Sequence, residues 1–437
     1  VLLLGANVLI VAGLLAAAAP GAPWLPVVGA VGIVASPVVL GVHAAVLTEP
    51  LFIGLTFASL GLLASHLGSR RRNALLASAV LAALASLTRY SGIALIAAAA
   101  LVLLTTRCPL RQRVIDTASF VGVAALPLAV WMLRNAQVGE TLTNRTFAVH
   151  PIGGDRLLSA AETMGAWVAA GPYGGFAAFL AVALGLGLWD GWRRRPPAPT
   201  GSGPLARVLL VFVCVYLGFL ALSISFLDAT TPTNDRILSP VFVALWVLAL
   251  LGAHHWRRIR PTRGLSLGLG LLCMVLLAGY AAVTAQWAHV HSREGGIGFG
   301  SVDWRQSPTI GAARELAPDK VLYSNGHDAL QLLAGRRARE IPPHTDSTTR
   351  RDAADFPQRI AKLRDTIRAG GVIVWLDWIS WRWYLPELSE LRELLPIRRA
   401  KWLGDGSIWI YAPARDSPDS KDSTESELPD SPKPARA

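Results

Sequence analysis

The residues with the clearest capacity for chemistry are a few charged side chains set among long apolar stretches. Glu49, within Thr48-Glu49-Pro50, is the only acidic residue between Trp24 and His66. A charged side chain costs roughly 2.5–3.5 kcal/mol at the centre of a bilayer and less at its interface, so we expect Glu49 at a membrane surface. There it could act as a base, a metal ligand or a contact to a sugar. The plainer interpretation is a carboxylate favoured at a helix start by the helix dipole.

Arg89 is the second candidate, because it lies between two short apolar stretches, where an arginine is unfavourable unless it is paired or hydrated. Its planar guanidinium offers a fork of donors that suits a phosphate group. Snorkelling of the side chain to lipid headgroups is an equally simple explanation.

Further polar residues are predicted to emerge at the same membrane face. Arg134 follows Trp131, and these two side chains could simply anchor a helix end in the interfacial aromatic belt. Asp235 and Arg236 are neighbours and could pair with each other, whereas a lone histidine in a helix, such as His43, is usually a packing residue. As a set, these residues suit an anionic substrate carried by a lipid. The further candidates are His43, Tyr90, Arg134, Asn135, Asp235 and Arg236.

The composition requires a membrane-embedded helical frame for these residues. The 437 residues are 52% hydrophobic and 16% charged, against roughly 25% charged in soluble proteins. The net charge of +12 comes from arginines in short loops between apolar runs, which indicates membrane topology and not nucleic-acid binding. The three cysteines form no CxxC pair, so neither a disulfide framework nor a zinc motif is predicted.

About ten membrane helices are predicted, because many apolar runs reach the ~18–20 residues that a spanning helix needs. Two of the predicted helices, at 74–88 and 91–106, are short for a full crossing. A further helix, at 155–169, is predicted to lie on the membrane surface. The ten segments are 1–19, 25–47, 50–66, 74–88, 91–106, 114–133, 171–191, 205–226, 237–254 and 264–284.

The arginines predict the orientation of these helices. Short loops rich in Lys and Arg lie in the cytoplasm. The turn that contains Glu49 and everything after residue 284 are therefore predicted to be extracytoplasmic, in a multi-pass protein of the plasma or inner membrane. The predicted cytoplasmic arginines are Arg70, Arg71, Arg72, Arg107, Arg111, Arg113, Arg193, Arg194, Arg195, Arg257, Arg258, Arg260 and Arg263.

The composition changes after the last apolar segment. We therefore predict a transmembrane domain at 1–284, a small extracytoplasmic α/β domain at 285–415 and a disordered tail at 416–437, which is rich in Ser, Asp, Pro and Lys. In the second domain, β-branched and aromatic runs predict strands at 321–324, 372–376 and 407–411. Helical periodicity predicts helices at 308–317, 327–334, 354–369 and 386–394.

The chain resembles the polytopic GT-C glycosyltransferases, especially the bacterial relatives of the dolichyl-phosphate-mannose protein mannosyltransferases and the aminoarabinose lipid A transferases. Short motifs over most of the chain carry the resemblance. These are Thr48-Glu49-Pro50-Leu51-Phe52, Leu87-Thr88-Arg89-Tyr90-Ser91-Gly92, Trp131 with Arg134-Asn135 and Gly139, Asp235-Arg236 with Pro240, and Tyr323-Ser324-Asn325 with Asp328-Ala329-Leu330 and Gly335-Arg336.

The resemblance implies an integral membrane glycosyltransferase. Such an enzyme moves a hexose or pentose from a polyprenyl-phosphate donor to an extracytoplasmic glycan, lipid or protein. In the family, an acidic residue of the first extracytoplasmic loop acts as the general base. The leaving polyprenyl phosphate is stabilised by cations and often by a divalent metal ion.

Residue by residue, the resemblance implies that Glu49 matches the family's second acidic residue, which would position sugar, acceptor or metal. Arg89, Arg134 and Arg236 would bind phosphate. It also implies that a helix and loop carrying the principal base belong before Val1, so that either the gene continues upstream or these 437 residues are an inactive fragment.

Two other classes of function compete with the enzyme. A transporter or flippase of lipid-linked precursors would typically show internal repeats and broken helices near the midplane of the membrane, and the sequence contains no convincing repeat. A non-catalytic membrane protein that works through its C-terminal domain is the other alternative. No P-loop, Rossmann fingerprint, HExxH or GxSxG motif occurs in a credible context.

Overall fold

A computed structural model describes residues 1–45, 47–139, 141–143, 145, 147–168, 202–259 and 262–413. The chain divides into two compact units. The first, which we call the helical unit, comprises Val1–Arg305 and Thr345–Asp352, and the second comprises Gln306–His344 and the chain from Ala353 onward. The predicted boundary after residue 284 falls inside the last long helix, which continues to Arg293. The predicted tail at 416–437 lies outside the described residues.

The helical unit is built from apolar helices that follow one another with short connections. Helices occupy nine of the ten predicted segments, and the seventh, 171–191, lies outside the described part of the chain. A helix, α8, is present in the segment 155–169, and its predicted position on the membrane surface stays a prediction. The helices are α1 Leu2–Ala18, α2 Trp24–Ala35, α3 Pro37–Ala44, α4 Glu49–Ser69, α5 Arg72–Thr88, α6 Gly92–Leu104, α7 Leu110–Val138, α8 Gly154–Ala166, α9 Ser202–Phe226, α10 Asp235–Ile259, α11 Arg263–Arg293 and α12 Val302–Arg305.

In the part of the chain that the structure describes, fewer than ten helices have the length of a membrane crossing. Among the described residues, α4, α7, α9, α10 and α11 are long and apolar enough, and α2 with α3 forms a sixth candidate bent by 58°. Helices α1, α5 and α6 are shorter, with 17, 17 and 13 residues. At about 1.5 Å per residue, α5 and α6 measure roughly 26 and 20 Å, against ~30 Å for the hydrocarbon core. The chain is thus a helical membrane protein whose described residues contain five or six candidate spans, and the prediction of ten is not confirmed.

The segment predicted as one helix at 25–47 is broken at Ser36-Pro37. A residue before proline avoids helical backbone angles, and Ser36 is extended, with φ −69° and ψ 122°. Its Oγ accepts a hydrogen bond from Val39 N at 3.3 Å, which starts α3. The chain then turns between Ala44 and Glu49, where the sequence predicted a turn at Thr48-Glu49-Pro50.

Small and aromatic side chains form the core between these helices. Phe52, Phe57 and Phe212 are fully buried. Ser59 of α4 and Ser78 of α5 each donate from Oγ to the other's backbone carbonyl, at 2.9 and 2.8 Å. Small residues let membrane helices approach closely, and such hydrogen bonds hold them together. Helices α4 and α5 therefore form a fixed pair, with the start of α4 beside the end of α5.

The C-terminal unit contains a five-stranded mixed sheet in the order β2-β1-β3-β5-β4. Strands β2, β1 and β3 are parallel, and β5 is antiparallel to both β3 and β4. Buried Ile360, Leu363 and Ile367 pack in one core with Ile373 and Trp409. The strands are β1 Leu322–Ser324, β2 Ala338–Glu340, β3 Val372–Leu376, β4 Ile397–Trp402 and β5 Gly406–Tyr411. The helices are α13 Pro308–Glu315, α14 His327–Ala329, α15 Phe356–Arg368 and α16 Leu388–Leu394, with a π-helical turn at Leu330–Ala334.

The three predicted strands coincide with β1, β3 and β5, but the sequence did not predict β2 and β4. These are the two edge strands of the sheet. Both strands carry charged residues: β2 is Ala-Arg-Glu and β4 is Ile-Arg-Arg-Ala-Lys-Trp. Most of these residues are exposed or half-buried. Charged edge strands limit unwanted pairing with other sheets and lack the apolar pattern that identifies inner strands. The prediction of a small α/β domain is otherwise confirmed.

The junction of α5 and α6 gives a test of this packing. A Cβ added to Gly92 would lie 2.4 Å from the Ser86 Cα, which belongs to a helix backbone. We expect Gly92→Ala to destabilise the protein by roughly 1–3 kcal/mol, the usual range for overpacking, and to lower the melting temperature in detergent. Gly122→Ala in α7 is the matched control, because nothing lies within 4 Å of its added Cβ. Equal melting temperatures for the two variants would contradict this packing.

Candidate functional site

Glu49 occupies the first position of α4, between the helix cap Thr48 and Pro50. Proline is well suited to the first turn, because its missing N–H would have no partner there. The carboxylate thus lies at the positive end of the helix dipole, as its plainer interpretation requires. The side chain is, however, only 1% exposed. A buried carboxylate needs more compensation than a helix dipole supplies.

Two arginines provide that compensation, and both approach the same oxygen. Arg89 follows the last residue of α5, and its Nη1 lies 2.5 Å from Glu49 Oε1. Arg236 is the second residue of α10, and its Nε donates to the same Oε1 at 2.5 Å. Arg89 Nη1 also donates to Thr48 Oγ1 at 3.2 Å. We call Glu49, Arg89 and Arg236 the Glu49 cluster.

The Glu49 cluster carries an excess positive charge, since two guanidinium groups face one carboxylate. Its members differ in accessibility: the Arg89 side chain is 18% exposed and that of Arg236 is 49% exposed. The other carboxylate oxygen, Oε2, is buried and has no hydrogen-bond partner among the described residues. The arrangement therefore holds one arginine firmly and presents the other at an accessible surface, where an additional anion would balance the charge.

Tyr90 follows Arg89 in the sequence, and its side chain lies close to that of Asn135 in α7. Asn135 Nδ2 donates a long hydrogen bond, 3.4 Å, to Tyr90 Oη. The guanidinium of Arg134 lies 5.1 Å from the ring centroid of Trp131 on the same helix. This contact agrees with the anchoring interpretation of Arg134. The end of α7 is thus near Arg89, but Arg134 is not part of the Glu49 cluster.

Asp235 and Arg236 do not pair with each other. Asp235 Oδ1 accepts a hydrogen bond from Trp167 Nε1 at 2.7 Å, while Arg236 turns to Glu49. Successive residues of a helix point about 100° apart, so the two neighbours meet different partners. Asp235 therefore fixes the start of α10 and leaves Arg236 to the cluster.

His43 is connected to the start of α4 through a residue that the sequence reasoning missed. Its Nδ1 contacts Val39 O at 2.7 Å, and its Nε2 contacts Asn7 Nδ2 at 2.8 Å. Asn7 Nδ2 also donates to Pro50 O at 2.9 Å. With Nδ1 donating to the carbonyl and Nε2 accepting from Asn7, His43 is the neutral Nδ1–H tautomer and has a packing role. A signal was available, because Asn7 is the only polar residue in the first apolar segment.

Tyr216 is a second residue that sequence reasoning missed. This buried tyrosine of α9 donates from Oη to Ile237 O at 2.8 Å. Ile237 follows Arg236 directly, so the bond fixes the first turn of α10 against α9. The signal in the sequence is weak: Tyr216 is the only tyrosine of its apolar segment.

The Glu49 cluster does not fit a divalent metal ion. Glu49 is the only carboxylate in it, and that carboxylate is already opposed by two positive charges, which would repel a cation. Among the described residues, no group of three or more His, Cys, Asp or Glu side chains could hold a metal. Glu49 is therefore not suited to the predicted metal role, and a divalent ion at another position stays a prediction from the resemblance.

No protein-family model matches this chain, and a search of curated proteins finds no significant match. The class of protein rests on its own features, which are apolar helices long enough to cross a membrane and a small C-terminal sheet unit.

The cluster predicts a specific energetic coupling. We expect Glu49→Gln and Arg89→Met to be non-additive, with a coupling free energy on the order of 0.5–3 kcal/mol, because each removes the partner of the other's buried charge. Unfolding in detergent, followed for both single variants and the double variant, measures it. Arg134→Met is the control and should be additive with Glu49→Gln, since Arg134 contacts Trp131 instead. Additivity of the Glu49 and Arg89 changes would contradict the ion pair.

Proposed function

We propose that this chain is a membrane-embedded glycosyltransferase that takes a sugar from a polyprenyl-phosphate donor to an extracytoplasmic acceptor. The Glu49 cluster carries the proposal. It is a built site in which a buried carboxylate fixes two arginines, one of them accessible, with positive charge in excess. A site of this kind suits a phosphate group, since a guanidinium binds phosphate with paired, charge-assisted hydrogen bonds.

The direction of the helices supports an extracytoplasmic site. Helix α4 begins at Glu49 and ends before Arg70, and α10 begins at Asp235 and ends with Arg257 and Arg258 in its last turn. The Glu49 cluster is therefore at the helix ends opposite these arginines. By the positive-inside rule, the arginine-rich ends lie in the cytoplasm. Helix α11 starts at the arginine-rich end, so we place the C-terminal unit on the extracytoplasmic side.

The proposed chemistry assigns binding and charge stabilisation to the cluster. The acceptor's hydroxyl or amine forms a bond to the anomeric carbon as the bond from that carbon to the phosphate oxygen breaks. The departing polyprenyl phosphate takes the electron pair, gains negative charge and can accept the acceptor's proton. Fixed guanidinium groups stabilise charge that develops in the transition state, because they need no reorganisation. Glu49 Oε1 already accepts from both arginines, so its role is to hold them in place and not to take the acceptor's proton.

An apolar groove supports a lipid-borne donor. It has a volume of about 490 Å³ and lies between α2 and α11. Its single polar side chain, Thr284, donates to Ala35 O at 2.7 Å and so presents little polarity to the groove. A prenyl chain gains free energy from such a surface by dispersion and needs no polar partner. The lining residues are Ala30, Val31, Val34, Ala35, Ala281, Thr284, Ala285 and Ala288.

A transporter or flippase of lipid-linked precursors is the second candidate, and the break between α2 and α3 favours it. Interrupted helices are typical of transporters, where the freed backbone groups line the substrate path. Against it, the Glu49 cluster lies at helix ends and not at the middle of a span. The two functions differ in whether the sugar leaves its phosphate.

The full chain in nanodiscs provides the test. We expect Arg89→Ala and Arg236→Ala to weaken binding of undecaprenyl phosphate by about tenfold or more, since each removes a charge-assisted phosphate contact. Transfer from radiolabelled polyprenyl-phosphate sugars to envelope acceptors should fall in parallel by roughly 10²-fold, as for other lost transition-state donors. Arg111→Ala, an exposed change at the opposite helix end, is the matched control and should change neither.

Wild-type binding in both arginine variants would refute the assignment of phosphate to the cluster. Movement of a fluorescent lipid-linked sugar across a proteoliposome membrane, without loss of the sugar from its phosphate, would favour the flippase instead.

A further inference from the structure

A second basic site lies at the opposite end of the helical unit. It is a cavity of about 520 Å³ between the turn that joins α1 to α2, the end of α10 and the start of α11. We infer that this cavity binds the phosphate-bearing headgroup of an anionic membrane lipid. The inference does not depend on the proposed glycosyltransferase activity. The residues that carry it are Trp24, His254, Arg257, Arg258, Arg263 and Ser266.

The charge of the cavity calls for an anion. Three arginines and one histidine line it, and no carboxylate is among its lining residues. Within the described part of the chain, Arg257, Arg258 and Arg263 form no salt bridge with Asp or Glu. Like charges that share one concave space repel each other. A phosphate group relieves this repulsion and offers each guanidinium the acceptor geometry that it prefers.

The rings of Trp24 and His254 distinguish the arginines of this cavity from arginines that only follow the positive-inside rule. The guanidinium of Arg257 lies over the Trp24 ring, 5.2 Å from its centroid. The same ring lies 6.3 Å from the ring of His254. A cation–π contact fixes the orientation of an arginine that would otherwise extend into water. Arg257 is therefore held at the cavity before any ligand arrives, which lowers the entropic cost of binding.

The apolar surface beside the cavity identifies the source of the phosphate. Leu267 lines the cavity and is 73% exposed. It begins a row of exposed apolar side chains on α11 that continues with Leu271, Met274 and Val275. Their spacing places them on one face of the helix. A lipid whose headgroup fills the cavity lays its acyl chains along this face, whereas free phosphate gains nothing from it.

The position on α10 connects this site to the rest of the helical unit. Arg257 and Arg258 occupy the last turn of the helix whose second residue is Arg236. A lipid bound to Arg257 and Arg258 therefore restrains α10, the helix that also supplies Arg236 to the Glu49 cluster. Ligands that bind only the folded state raise its stability by mass action, so the lipid should raise the melting temperature.

The test uses the full chain, purified in a neutral detergent and titrated with phosphatidylglycerol. The comparison lipid is phosphatidylcholine with the same acyl chains, and the soluble arms are inorganic phosphate and glycerol 3-phosphate. We expect phosphatidylglycerol alone to raise the melting temperature and to be retained in native mass spectra. Arg257→Gln with Arg263→Gln should weaken its retention by about tenfold or more. Arg111→Gln with Arg113→Gln, two changes at the same membrane face but outside the cavity, should leave it unchanged.

Three results would overturn the inference. Equal retention of phosphatidylglycerol and phosphatidylcholine would reduce the contact to ordinary lipid solvation. Equal protection by glycerol 3-phosphate would make the ligand a soluble phosphate. Wild-type retention by the cavity variant would place the lipid elsewhere. If that double variant elutes as an aggregate, Arg258→Gln alone provides the same comparison, with an expected loss that is smaller but in the same direction.

Discussion

The burial of the Glu49 carboxylate is the constraint on which the helical unit depends. A charge removed from water is tolerated only where opposite charges and hydrogen bonds surround it. Arg89 and Arg236 meet that need from positions 40 and 187 residues away along the chain. Their presence fixes the end of α5 and the start of α10 against the start of α4. The same contacts that allow the carboxylate to be buried thus align two arginines, and the proposed phosphate site is a by-product of a stability requirement.

Much of this arrangement could be predicted from the sequence, because hydropathy and arginine distribution identify helices and their common face. The turn before Glu49 and the location of Arg89 and Arg236 at one membrane face follow from that pattern. The choice of partner does not. Several charges share the face, and only the packing of α10 against Tyr216 and Trp167 decides that Arg236, and not Asp235, turns toward α4.

The parts that the sequence did not predict have identifiable physical causes. Hydropathy measures how apolar a stretch is, but it does not measure whether a proline at position 37 bends the helix. The edge strands β2 and β4 carry charges because they face solvent, so their pattern does not resemble a strand. The role of Asn7 was not predicted, because a single polar residue in an apolar run does not indicate its hydrogen-bond partners.

The shortness of α5 and α6 has a consequence for the membrane itself. A helix shorter than the hydrocarbon thickness is accommodated by thinning of the surrounding bilayer or by polar groups drawn inward. Arg89 lies at the junction of these two helices. The lipid surface around it would therefore dip toward the midplane, and headgroup phosphates would descend to the depth of the guanidinium. In that geometry the bilayer adapts its shape to deliver an anionic headgroup, and no protein segment has to move.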